Sequence, residues 1–172
     1  MNWRLSSFNG ALLAAYFIPT WMIGAFRIMT SPIHGFYERP NVSIALFVSD
    51  HLQLAAMGMV RAAWLLALGR LTVVAFFAIF LVLISRPRIR MAGGCDEALG
   101  LALGIGSLIS FTGMLMASQV GEVDALRLHA TELLMLLGTA IVLVVERPVR
   151  AVAAASDAEP LAFGQPQLLH DR

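Results

Sequence analysis

Four long apolar runs, parted by short polar stretches, constrain this chain more than any other feature: Phe8 to Met29, Ala62 to Ile84, Ala98 to Ser118 and Leu126 to Val145. A helix rises about 1.5 Å per residue, so about 20 residues cross a hydrocarbon layer of about 30 Å. In lipid the backbone has to satisfy its own hydrogen bonds, which makes each run a helix. Composition points the same way. The chain is 59% hydrophobic and only 13% charged, where soluble domains run at roughly 45–50% apolar. The expected fold is therefore all-α: an integral membrane four-helix bundle over residues 1–150, followed by a flexible cytoplasmic tail, 151–172.

Residues 41–60 do not fit the simple four-run pattern. Asp50, His51 and Gln53 interrupt them, and only Arg61 separates them from the next apolar run. One residue cannot join two antiparallel spans. An additional interfacial or re-entrant helix between spans one and two is the expectation. Asn41-Val42-Ser43 matches a glycosylation sequon, a pattern frequent by chance.

The first run follows Arg4 and superficially resembles a secretory signal. It is too long for one, and Tyr16, Phe17 and Pro19 stand where a small-residue cleavage site belongs, so it reads as a retained span. Pro19, in mid-span, predicts a kink. The third run carries two small-residue stripes, Gly100, Gly104, Ser107 and Ser118 beside Gly106, Ser110, Gly113 and Ala117. Such stripes allow close helix approach, which places this helix in the middle of the bundle. Gly104-Ile105-Gly106 is no nucleotide loop, because it follows no strand.

Ionisable residues inside the runs raise the functional question. Glu132 lies within the fourth run with His129 three residues before it, on the same helix face. A carboxylate in a membrane span needs a partner or water. Arg70, inside the second run, either snorkels to the interface or meets Glu132 at equal depth as a buried ion pair. His129, Glu132, Thr139 and Glu146 form a polar stripe down the fourth helix. The fourth helix is expected to stop at Glu146-Arg147-Pro148.

Several classes of function are excluded or left unsupported. A net charge of +1 offers no concentrated basic patch for nucleic acid. All 12 basic residues are arginine, which reads as genomic bias. The single cysteine, Cys95, allows neither an internal disulfide nor a multi-cysteine metal site. No catalytic triad or phosphate loop is legible, so an enzyme in the usual sense is not expected. Arg4, Arg86, Arg88, Arg90, Arg147 and Arg150 fall on one side of a four-span topology, which predicts cytoplasmic termini and a bacterial inner-membrane location.

The expected role is a non-catalytic accessory or scaffold subunit, with the lipid bilayer and a membrane-protein partner or second copy as its neighbours. Two alternatives stand beside it. One is a redox or sensory subunit binding haem b or a divalent metal through His51, His129 and Glu132, in an outer half that also holds His34, Glu38 and Asp50. The other is a small proton- or ion-coupled transporter.

Overall fold

The computed structural model describes residues 5–86 and 94–158, with side chains as far as Glu146. Among the described residues it consists of helices α1 (Leu5–Thr30), α2 (Pro32–Phe36), α3 (Val42–Leu52), α4 (Ala56–Ser85), α5 (Asp96–Val120) and α6 (Val123–Ala158), with no strand. Helices α1, α4, α5 and the Val123–Glu146 part of α6 are long and apolar enough to cross a membrane. The protein is an integral membrane four-helix bundle. Its spans alternate in direction, so α4 runs parallel to α6. Contact is extensive between α1 and α4, α4 and α5, and α5 and α6, and much lighter between α1 and α6. That light seam matters below. The end holding Leu5, Ser85, Asp96 and Glu146 is termed proximal, and the end holding α2, α3 and the α5–α6 turn distal.

The helices overrun the apolar runs that predicted them. Helix α4 begins at Ala56 rather than near Ala62, because a helix that already bonds its own backbone continues into the polar interface. Residues 41–60 are correspondingly divided. Helix α3 ends at Leu52, Gln53 takes a left-handed φ of 46° that stops it, and residues 56–60 belong to α4. With 11 residues, or about 16 Å, α3 is too short to span.

It docks instead on the distal third of the bundle. Ile44, Ala45 and Val48 pack with Ala25, Ile28, Phe36, Ala63 and Ala67. Gly35 lets α2 fold back on α1, since a Cβ there would stand 2.7 Å from the Ile28 backbone nitrogen. Asn41 is fully buried, its amide donating to the Gly35 carbonyl at 2.8 Å, so the sequon is spent on structure.

A second correction concerns α6, which does not stop at Pro148 but continues to Ala158. Proline removes one backbone bond, yet five of the eight residues 151–158 are alanine, the best helix former, and the helix resumes. Residues 159–172, the rest of the expected tail, lie outside the described residues, as do Arg4, Arg88 and Arg90. The α5–α6 turn needs its glycine: Gly121 caps α5 at φ 76°, and the Glu122 amide returns to the Ala117 carbonyl at 3.1 Å.

The proximal half has an apolar core. Phe17 stacks on Phe77 at 5.8 Å, and Phe80, Leu99, Leu103, Leu136 and Leu143 close around them. Helix α5 faces this interior with its second small stripe. Gly106 lies against Leu136 and Gly113 against the His129 ring, whereas Gly104 is exposed with open space around it, and Gly100 and Ser107 are half-buried. Outward-facing hydroxyls manage without water: Thr20, Thr72, Thr112 and Thr131 each donate to the carbonyl four residues back. Pro19 sits on the exposed face of an uninterrupted α1, next to the Thr20 hydroxyl that bonds the Tyr16 carbonyl at 2.6 Å.

Candidate functional site

Helix periodicity places the polar residues. On α4 the buried stripe runs Ala63, Ala67, Arg70, Val74, Phe77, and on α6 it runs Ala125, His129, Glu132, Leu136, Thr139, Leu143. Both follow the alternating three- and four-residue spacing of a helix face turned to its neighbours. Arg70, His129 and Glu132 therefore occupy core positions, where an apolar side chain would ordinarily stand. Ser110, in the packed stripe of α5, and Trp21, on α1, complete one polar layer across four helices.

Glu132 is its centre. The Trp21 indole Nε1–H donates to Oε1 at 3.0 Å, the Ser110 hydroxyl donates to Oε2 at 3.2 Å, and His129 Nδ1 meets Oε2 at 3.2 Å. Three elements thus converge on one carboxylate that is 5% exposed. An ionised carboxylate away from water survives only with such donors. With the carboxylate ionised, Nδ1 carries the histidine proton, and Nε2 is left buried against Gly113 without a partner. Trp21 and Glu132 each lie nine residues in from the distal end of their helix, about 14 Å by helical rise. The network is in the middle of the bundle.

Arg70 does not snorkel. It is 4% exposed, and its guanidinium carbon lies 5.6 Å from the centroid of the Trp21 ring. Among the described residues the ion pairs are Arg27–Glu38 at 3.1 Å and His129–Glu132, so Arg70 and Glu132 are joined through the indole rather than by direct contact. No protein acceptor described meets the guanidinium, and its Nε is buried without a partner.

A cavity of about 340 Å3 opens in the thin seam between α1 and α6. Its floor is Arg70, Trp21, His129 and Glu132, and at its distal rim stands the Arg27–Glu38 pair. Ile23, Gly24 and Leu128 line the wall between them, and Tyr16 lines the seam on the proximal side of Trp21. Below the floor the Phe17–Phe77–Phe80 core fills the bundle.

The remaining candidates lie elsewhere. His51 sits in the last turn of α3, exposed and stacked on Phe47 at 4.5 Å, and His34 and Asp50 are exposed. Because α3 docks through Ile44, Ala45 and Val48, His51 is not carried to Glu132. Among the described residues no three His, Cys, Asp or Glu side chains converge, so the ligand set of His51, His129 and Glu132 is not assembled. The polar stripe on α6 does turn inward: Thr139 is buried, and Glu146 accepts from the Ser6 amide at 3.2 Å and from the Ser6 hydroxyl.

Sequence reasoning missed Trp21, Tyr16 and Gly24. Trp21 carried a legible signal, since membrane tryptophans favour the interface and this one is in mid-span. Gly24 carried none. Compared with models of protein families, with curated proteins and with solved structures, the chain matches none.

Proposed function

We propose that this integral membrane protein is a small proton-coupled solute carrier, its binding cavity lying in the α1–α6 seam between the polar layer and the distal Arg27–Glu38 pair. One observation carries the reading: a solute-sized cavity has a buried, hydrogen-bonded carboxylate–imidazole pair on its floor. Ligand sites of about 300–1,000 Å3 with a few convergent polar groups are the usual form of a small-molecule pocket. Intramembrane carboxylates beside a cavity characteristically serve proton or ion paths. A scaffold subunit, by contrast, has no use for a buried guanidinium without an acceptor beside an open space. The Phe17–Phe77–Phe80 packing on the proximal side of the polar layer fits the closed side that alternating access requires.

The arginine-rich flanks, Arg4, Arg86, Arg88, Arg90, Arg147 and Arg150, support cytoplasmic termini in a bacterial inner membrane. The cavity then faces the outside. The test is reconstitution into vesicles with a trapped pH-sensitive dye, followed by imposed gradients of small organic acids and amines. Solute-driven proton flux is expected in the wild type and lost in Glu132→Gln, with helix content unchanged. No flux across the panel, or equal flux in the variant, would overturn the reading.

A further inference from the structure

Resting on that reading and deepening it, we infer that the solute is a small monocarboxylate, bound through its carboxylate to Arg70. A guanidinium has five N–H donors and no acceptor. At Arg70 this group is almost wholly buried, and among the described residues none of its N–H groups meets a protein acceptor. The indole face of Trp21 supports it from one side, and the cavity lies open to it. Gly24 keeps that approach free: a Cβ there would stand 3.2 Å from Arg70 Nη1.

The neighbouring carboxylate does not reach the guanidinium: its oxygens meet Trp21, Ser110 and His129, and among the described residues it forms no ion pair with Arg70. Glu132 instead sets the charge of the ligand. Arg70 offers one positive charge, and a second anionic group would stand beside Glu132 with no countercharge, so the floor accepts one anionic group and opposes a dianion. Carboxylate and guanidinium are both planar and pair through two parallel N–H···O bonds, a fit that a lysine ammonium does not reproduce. Ile23, Gly24 and Leu128 on the wall suit a short apolar body. One proton held at the Glu132–His129 pair balances one anion at Arg70, so the loaded site carries no added charge. The same carboxylate chemistry is presented by a fatty acid entering from the lipid, and the experiment separates the two sources.

The protein is placed in nanodiscs of phosphatidylcholine, with Trp3→Phe and Trp64→Phe leaving Trp21 as the fluorescent reporter. Propionate, dodecanoate and inorganic phosphate are titrated in turn. Saturable change with propionate and none with phosphate is expected, with affinity weakened at least ten-fold in Arg70→Gln. Gly24→Ala, which keeps the charge but crowds Nη1, is expected to weaken propionate as well, and it decides the matter if Arg70→Gln fails to fold. Equal titrations in wild type and Gly24→Ala, or no saturable response to either carboxylate, would overturn the assignment. A response to dodecanoate alone keeps the Arg70–carboxylate contact and removes the carrier. Proton flux in vesicles that is indifferent to Arg70 and Gly24 keeps the carrier and removes the carboxylate.

Discussion

The proximal and distal halves of this bundle are built from the same four helices and solve packing in opposite ways. In the proximal half Phe17, Phe77, Phe80, Leu99 and Leu103 fill the centre, and Ser6 ties α1 to Glu146 of α6. On the distal side of that core, mid-bundle interior positions are Trp21, Arg70, Ser110, His129 and Glu132, with the smaller apolar cluster of Ile28, Phe36, Ile44 and Val48 beyond them, and the α1–α6 seam opens into a cavity. Lipid tails are as apolar as leucine, so burying apolar side chains gives little reason for helices to associate. Dispersion between interlocked rings holds the proximal half, and directed hydrogen bonds join the helices at the polar layer, with a smaller apolar cluster under α3 beyond it. The seam is open in both halves, with a groove of about 360 Å3 between Leu12, Leu13, Leu134 and Gly138 in the proximal one, so what sets the distal cavity apart is its charged and hydrogen-bonding floor.

Removing the centre of the polar layer is the most damaging way to test that contrast. Glu132→Ala leaves the Trp21, Ser110 and His129 donors without their acceptor and Arg70 without its nearest countercharge. A loss of about 3 kcal/mol is expected in detergent unfolding, and Arg70→Ala with Glu132→Ala together are expected to cost less than the sum. Strict additivity would mean that the indole does not couple them.

Phe77→Ala attacks the other half. Its cost is expected at about 2–3 kcal/mol, mostly from the void left beside Phe17, since the transfer contribution is small in lipid. Propionate binding is expected to survive it in nanodiscs, and its loss would show that the two halves are not independent.

The α5–α6 face offers a paired comparison along one helix. Gly113→Ala drives a Cβ to within 2.8 Å of the His129 ring, and a cost of about 2 kcal/mol is expected by thermal unfolding. Gly104→Ala meets nothing within 4 Å and is expected to be neutral or stabilising by up to ~1 kcal/mol through helix propensity. Equal effects at the two glycines would break the assignment of the buried face. Ser6→Ala removes the hydroxyl bond of the latch to Glu146 and keeps the backbone amide bond. A cost of about 0.6 kcal/mol, read by the same unfolding assay, is typical of one hydrogen bond between membrane helices.

How far the sequence reveals this protein depends on the range of the interaction involved. Hydropathy locates the four spans to within a few residues, because each helix satisfies its own backbone and needs only its length of apolar residues. The i, i+3 spacing of His129 and Glu132 likewise announces a local pair, and the structure has them 3.2 Å apart. Where α4 starts and α6 ends is not legible in the sequence, because proline and polar residues weaken a helix by amounts that alanine or an interface offsets.

The site itself was legible only in part. Glu132, His129 and Arg70 draw attention as charged or ionisable groups inside apolar runs. Nothing in the sequence says that Trp21 and Ser110 are their neighbours, that His51 is not, or that Gly24 faces a guanidinium. These depend on how helices remote in sequence are rotated against one another, and in lipid a hydrophobic stripe barely fixes that rotation.

What the sequence determined by itself is a bilayer-spanning, four-helix chain with an ionisable pair at mid-depth, because length, hydropathy and helical spacing are local quantities. The tertiary structure alone decided that Arg70 lies over the indole instead of on the carboxylate, and that α1 and α6 part to leave a cavity above them. The reason is geometric: a guanidinium and a carboxylate on separate helices meet only if packing, set by glycines, rings and hydroxyls along every helix, brings them to one point.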